Sequence, residues 1–160
     1  MYRTSLVTLL AMLLAGCSAV SPFSSLTKLD LTLAAGERLN PDQHGRPSPV
    51  VVRLIALSHP VAFENSDFFS LYERAEQVLP KDWVSAEELE LRPGERRLFK
   101  LSIAPHSRYV GVVAAYRDLP HVQWRWVLPV TPQQRTQAEL LLDETGVRQV
   151  GVGEGRHAGS

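Results

Sequence analysis

The only cysteine of the chain lies where one particular modification could occur. Cys17 directly follows the small residues Ala15 and Gly16, and an apolar run, Leu6–Ala15, precedes it. A thiol in this position can form a thioether with a diacylglycerol, and the small residues before it give a peptidase access to the backbone. The run is about half as long as the roughly twenty residues that a membrane-spanning helix needs. It therefore predicts a cleavable secretory leader.

The stretch Leu14-Ala15-Gly16-Cys17 resembles the bacterial lipobox, in which the cysteine is lipidated and becomes the first residue after cleavage. We therefore expect a signal peptide at 1–16, a covalent diacylglycerol and an N-acyl chain on Cys17, and a flexible tether at 17–27. An ordinary leader beside an unmodified cysteine is the alternative. Ser18 in place of an aspartate implies, by the same resemblance, sorting to the outer membrane.

Composition argues against several classes of protein. Seventeen basic and seventeen acidic residues among 160 balance, whereas nucleic-acid binders depend on excess positive charge, so no nucleic-acid partner is expected. A lone cysteine excludes a disulfide framework within the chain and a cysteine-rich zinc site. The five histidines include no pair four residues apart. We therefore expect no metal, no further cofactor and no catalytic residues.

Most of the chain has the alternation of short β-strands. Leu29, Leu31 and Leu33 alternate with polar residues, 50–57 is a buried apolar run, and 109–116 is apolar on both faces. Further alternating runs follow up to Val152. A helix is predicted over 66–79, capped by Ser66 and stopped by Pro80.

This pattern predicts an all-β fold, a two-sheet β-sandwich of about eight strands with a short helical insertion after the second strand. The sandwich domain is placed at 28–152, and a disordered tail at 153–160.

The connection between the first two strands is long for a domain of this size. Residues 35–49 contain two glycines and three prolines, which exclude a helix or a strand interior. Long loops of this kind are often functional, although a purely connecting role is the alternative. The side chains predicted to contact a partner are Arg38, Leu39, Asn40, Asp42, Gln43, His44 and Arg46.

Two other pairs of residues have the chemistry of a site. Asp118 and His121 could form a catalytic dyad, but we expect them in a turn between strands, and the chain has no Gly-x-Ser-x-Gly motif. Trp124 and Trp126 could stack on sugars if exposed, but their spacing favours a core position. If the tryptophans are exposed, a lipoprotein that binds cell-wall glycan is an alternative function. A transthyretin-like hydrolase is a weaker alternative.

Several stretches together resemble one known family. They are 40–49 before the second strand, 67–72, 91–95, 113–118 and the pair Trp124-Arg125, all behind the lipobox cysteine. This combination is similar to the type VI secretion system lipoproteins TssJ, also called VasD or SciN. The resemblance covers nearly the whole chain after the leader.

The resemblance implies a transthyretin-like sandwich without enzymatic activity. It implies an outer-membrane lipoprotein whose domain lies in the periplasm and binds the periplasmic C-terminal region of TssM, and indirectly TssL. In the family, the loop between the first two strands makes this contact, which corresponds to 36–49 here.

Overall fold

The predicted sandwich is confirmed. The structure, a computed structural model, describes residues 26–151, so Cys17, the leader, most of the tether and the predicted tail lie outside the described residues. Eight strands form two four-stranded sheets. The strands are β1 (Thr27–Ala35), β2 (Val50–Leu57), β3 (Trp83–Leu91), β4 (Arg96–Ile103), β5 (Tyr109–Ala114), β6 (Arg125–Pro129), β7 (Arg135–Asp143) and β8 (Gly146–Gln149).

The first sheet is organised around β1. Its order is β4-β1-β7-β8, with β1 antiparallel to β4 and parallel to β7. Leu29, Leu31 and Leu33 are fully buried, as their alternation predicts. They pack against the inner face of the second sheet, whose order is β3-β2-β5-β6. Thr27, predicted to lie in the tether, already belongs to β1 and is buried. Its hydroxyl accepts a hydrogen bond from the Gln133 amide at 3.0 Å.

The second sheet is covered on its outer face by the helical insertion. Ile55 and Leu57 of β2 and Val113 of β5 point outward and pack against Phe63 and Leu71 of the insertion. These two strands are therefore buried on both faces, which explains why their sequences are apolar without alternation. The central position predicted for residues 109–116 is confirmed for β5, which lies between β2 and β6.

The insertion consists of two helices, α1 (Val61–Asn65) and α2 (Phe68–Val78), where one was predicted. Asp67 caps α2, because its carboxylate accepts hydrogen bonds from the Ser70 amide and hydroxyl, at 3.0 and 2.6 Å. The prediction of Ser66 as the cap was wrong. The Ser66 hydroxyl donates back to the Ala62 carbonyl at 2.7 Å, so Ser66 ends α1. Within 26–151, no helix is long and apolar enough to cross a membrane.

The strands run between two distinct ends of the sandwich. At the loop end lie the connections 36–49, 92–95, 115–124 and 144–145. The opposite end, called the base, comprises 26–28, 58–61, 79–82, 104–108 and 130–135. Backbone hydrogen bonds join its segments, from Lys28 to Gln134, from Ser58 to Asp82 and from Val130 to Arg108, each at 2.9 Å. The tether therefore joins the domain at the end opposite to the 36–49 loop.

The contact between α1 and β5 depends on a glycine. A Cβ atom on Gly111 would lie 2.6 Å from Cε2 of Phe63, whose ring is fully buried. Glycine in a strand interior commonly marks such a close approach. The ring of Phe63 therefore seats α1 directly on the backbone of β5.

We predict that Gly111→Ala lowers the free energy of unfolding by about 1–3 kcal/mol, because the added methyl group overpacks this contact. Chemical denaturation measures the loss. Phe63→Leu in the same background should restore part of it by making room. An unchanged stability of Gly111→Ala would contradict the packing of Phe63 on β5.

Candidate functional site

The 36–49 loop is held at its neck by backbone hydrogen bonds. The Gly36 amide donates to the Leu142 carbonyl of β7 at 2.8 Å. Further along, the Ser48 amide donates to the Leu39 carbonyl at 3.0 Å, which brings the outgoing arm back to the incoming one. The loop is therefore an ordered extension of the sandwich.

Two of the seven predicted contact residues lie inside the protein. Leu39 has no exposed surface and Asn40 is 3% exposed. Asn40 donates through Nδ2 to the Pro49 carbonyl and accepts through Oδ1 from the Arg117 amide, both at 2.8 Å. Its φ of 45° lies in the left-handed region, which asparagine tolerates better than most residues. In this conformation Leu39 and Asn40 therefore anchor the loop, and their contact with a partner stays a prediction.

Asp42 shapes the tip of the loop. Its carboxylate accepts hydrogen bonds from the amides of His44 and Arg46, at 2.8 and 3.0 Å, and from Nε of Arg46 at 2.8 Å. The Asp42 amide in turn donates to the Arg46 carbonyl. The hydrogen bond from the Arg46 amide is the main cause that lowers the pKa of Asp42, so the carboxylate keeps its charge to a lower pH than an ordinary aspartate. The tip is therefore a closed turn.

The exposed side chains of the tip are Gln43, His44 and Arg46. Together with Asp42 and Arg117 they line an open depression of about 510 Å³. This depression is rich in hydrogen-bond donors and acceptors, and it carries a small excess of positive charge because Arg46 and Arg117 outnumber Asp42. It can receive polar groups of another molecule.

The neighbouring connections join the loop in one surface. Arg38 is exposed and forms an ion pair with Glu144 in the turn between β7 and β8. The Gly94 amide, in the turn between β3 and β4, donates to the Gly36 carbonyl at 3.3 Å. Through Asn40 the loop also reaches Arg117, in the connection between β5 and β6. Sequence reasoning missed Arg117 and Glu144, because neither is near the loop in the chain.

Asp143 holds the turn that carries Glu144. Its carboxylate accepts from the Thr145 amide and hydroxyl, at 2.8 and 2.6 Å, and pairs with Arg148 at 2.6 Å. Burial by itself would raise the pKa of Asp143, but these hydrogen bonds and the Arg148 charge outweigh it, and the pKa is lowered. The turn that carries Glu144, the partner of Arg38, is thus held in place by the bonds of Asp143.

The pair Asp118 and His121 lies in the connection between β5 and β6, as expected. Asp118 Oδ1 is 2.7 Å from His121 Nδ1, and both side chains are largely exposed. Throughout residues 26–151, histidine, cysteine and carboxylate side chains form no group of three that could hold a metal ion.

The two tryptophans considered as sugar platforms are half-buried. The ring of Trp124 meets Phe68 edge-on at 5.4 Å, and the Arg125 guanidinium lies 4.8 Å from its centroid. Arg125 also donates to the Ser66 carbonyl at 2.7 Å. Trp124 and Arg125 thus fasten the helical insertion to β6, and Trp126 packs against the main core.

Residues 27–145 match the family described as type VI secretion lipoprotein, VasD, EvfM, TssJ, VC_A0113. The chain belongs to this family. The resemblance identified from the sequence motifs is therefore confirmed.

Solved structures agree with this assignment to the TssJ family. The T6SS lipoprotein TssJ1 from Pseudomonas aeruginosa is 35% identical, with a TM-score of 0.76 over 78% of this chain and 95% of that one. Lip, a membrane-bound component of the Type VI Secretion System of Serratia marcescens, is 26% identical, with a TM-score of 0.73 over 78% and 98% of the two chains. A comparison with the curated proteins finds no match.

A third likeness concerns the fold alone. A chain in a structure described as the C-terminal domain of the T6SS protein TssM from EAEC is 23% identical, with a TM-score of 0.64. The match covers 79% of this chain and 99% of that one. The same sandwich therefore recurs among the type VI structures.

We predict that Asn40→Ala lowers the free energy of unfolding by about 2–3 kcal/mol, because it leaves two polar backbone groups unpaired and puts alanine at a positive φ. Urea denaturation gives the loss, and hydrogen exchange at the Arg117 amide should accelerate. Gln43→Ala, an exposed neighbour, is the control and should change stability by less than about 0.5 kcal/mol. Equal effects of the two variants would contradict the anchoring role.

Proposed function

We propose that this TssJ-family lipoprotein is a structural docking protein of the type VI secretion membrane complex, without enzymatic activity. Its lipidated Cys17 anchors it in the outer membrane, and its sandwich domain lies in the periplasm. There the 36–49 loop binds the periplasmic C-terminal region of TssM, which connects it indirectly to TssL. The observation that carries the proposal is a pre-shaped loop whose polar tip projects from the end of the domain remote from the tether.

Family membership supports TssM as the partner. In the family that the chain resembles, the loop between the first two strands makes this contact. The same fold also occurs in the structure described as the C-terminal domain of TssM, and in one described as a type VI membrane complex. For this chain the partner remains part of the proposal.

The internal bonds of the loop support its use in binding. Ordering a flexible loop on association costs conformational entropy. Here the Asp42 carboxylate and the buried Asn40 side chain already hold the loop in one shape. Gln43, His44, Arg46 and Arg117 can therefore give their hydrogen bonds to a partner without that cost. Arg38 adds a contact only if its ion pair with Glu144 opens or is shared.

The lipid determines whether the docking protein stays on its membrane. Each buried methylene contributes about 0.8 kcal/mol, and a single acyl chain binds only reversibly. A diacylglycerol together with an N-acyl chain on Cys17 would make the anchor effectively permanent. The domain itself then needs no apolar surface of its own to remain at the membrane.

We expect Cys17→Ser to leave the domain folded but to abolish outer-membrane anchoring and secretion, because serine cannot form the thioether. Membrane fractionation with circular dichroism of the recovered protein measures both effects. Normal recovery of this variant in the outer membrane would contradict the hypothesis that Cys17 is lipidated.

We expect the double variant Gln43→Ala, His44→Ala to weaken binding to the periplasmic C-terminal region of TssM by about tenfold or more, a loss of about 1.4 kcal/mol. Calorimetric titration measures the affinity, and thermal unfolding should be unchanged because both side chains are exposed. Substitution is preferable to deletion, since Asn40 anchors the loop.

The matched control removes one glutamine and one histidine from the base, as Gln134→Ala, His106→Ala. It should bind as tightly as the unaltered protein. Equal affinity of the tip variant and the control would place the interface elsewhere. If the well-folded unaltered protein does not bind, the docking proposal fails and glycan binding becomes the leading alternative.

A further inference from the structure

The base collects positive charge from segments that are distant in sequence. Its basic side chains belong to Lys28, Lys81, Arg108 and Arg135, and its one carboxylate is Asp82. A second carboxylate, Asp30, lies just above the base and is held by Arg135 at 2.8 Å. The processed chain would carry one more acidic than basic residue, because removal of the leader takes away Arg3. The base therefore departs from the charge of the whole chain.

Three of these cations are not engaged by carboxylates. Among residues 26–151, Lys28, Lys81 and Arg108 have no carboxylate oxygen within 4.0 Å. Arg108 donates instead to the carbonyls of Pro105 and Ser107, at 2.9 and 3.1 Å. By contrast, three of the four arginines at the loop end, Arg38, Arg46 and Arg92, are paired with carboxylates, and Arg117 is not. The charge at the base is therefore available to an external anion.

Exposed apolar side chains lie beside this charge. Leu26 is 48% exposed immediately before β1, and Val61 is 64% exposed at the first turn of α1. Both belong to the base. A surface that combines cations with exposed aliphatic side chains suits the boundary between phospholipid headgroups and acyl chains.

The path of the chain brings the base close to the membrane, if Cys17 is lipidated as proposed above. Nine residues separate Cys17 from Thr27, so the ten steps along the backbone between them span at most about 35 Å. Thr27 is itself part of the base. A tether this short keeps the base at a high effective concentration near the lipid surface, in the millimolar range. Even a modest attraction is then sufficient to orient the domain.

We propose that the base is a membrane-facing surface that binds anionic phospholipid headgroups. Lys28, Lys81 and Arg108 meet the phosphate groups, and Leu26 and Val61 lie at the apolar margin of the headgroup layer. Each cation near an anionic surface strengthens binding by about fivefold. The contact directs the 36–49 loop away from the membrane, toward a partner in the periplasm.

The test uses the chain from Cys17 to Ser160, coupled through its single thiol to a maleimide-headgroup lipid in nanodiscs. One set of discs contains phosphatidylcholine alone, and the other also contains phosphatidylglycerol. A gadolinium-headgroup lipid broadens the amide signals of residues near the surface. With phosphatidylglycerol, we expect the broadening at 58–61, 104–108 and 130–134 to increase by about twofold or more, and that at 43–46 to stay small. Equal broadening of the base in both discs would overturn the proposal.

A charge variant and its control test the residues. In discs with phosphatidylglycerol, Lys28→Gln, Lys81→Gln, Arg108→Gln should reduce the broadening at the base to the level seen with phosphatidylcholine alone. The control Arg74→Gln, Arg92→Gln, Lys100→Gln removes the same charge from exposed positions outside the base, and should keep the increase in broadening that phosphatidylglycerol causes. Equal behaviour of the two triple variants would overturn the proposal. If the first variant does not fold, salt replaces it: at about 1 M, where the Debye length is roughly 3 Å, the phosphatidylglycerol effect on the unaltered chain should disappear.

Failure of the anchoring proposal would be seen separately. The mass of Cys17-containing peptides from the cellular protein shows whether acyl chains are present, whereas the nanodisc coupling supplies the tether artificially. If Cys17 is acylated but the broadening at the base is the same in both discs, the anchoring proposal stands and the membrane-facing surface is contradicted. If Cys17 is not acylated but the broadening at the base increases with phosphatidylglycerol, the anchoring proposal is contradicted and the lipid-binding surface stands.

Discussion

Burial of alternate leucines in β1 is the constraint on which the rest of the molecule depends. Leu29, Leu31 and Leu33 have no exposed surface, and a slip of one residue would turn all three to the outer face. The same strand pairs with β4 on one side and with β7 on the other, so its register fixes the first sheet. It also separates the two ends of the domain, because the tether enters at Thr27 and the 36–49 loop begins just after Ala35.

The loop is held in place by the side chain of one buried polar residue, Asn40, which is hydrogen-bonded to two parts of the backbone. The backbone of Asn40 has a left-handed conformation, and its side chain, which is almost completely buried, donates one hydrogen bond and accepts another. Together with Leu39, it joins the loop to the sandwich as part of its core. Asp42 then organises the tip without contributing to that core. Stability and recognition are thereby separated, with anchoring in 39–40 and exposed chemistry in 43–46.

The two ends of the sandwich have contrasting surfaces. At the loop end, three of the four arginines pair with carboxylates, among them Arg38 with Glu144 and Arg46 with Asp42, and Arg117 does not. A surface of this kind favours directional hydrogen bonds with a protein over attraction to any charged surface. At the base, unpaired cations lie beside exposed aliphatic side chains. This division suits the two proposed roles, with the membrane at one end and the protein partner at the other.

The sequence alone determined the local features and the family. The lipobox, the period-two strands, the helical insertion and the long loop follow from residue type and spacing over a few positions, and the ordered motifs identified the TssJ lipoproteins. Periodicity shows which side chains face inward, but it does not show which strands are neighbours, so the parallel pairing of β1 with β7 came only from the structure. The local pattern likewise could not separate Leu39 and Asn40 from the exposed tip. Leu39 is buried by packing in the main core, and Asn40 is held by the amide of Arg117, 77 residues away. The base depends even more on tertiary structure, since its cations come from separate segments that only the closed sandwich brings together.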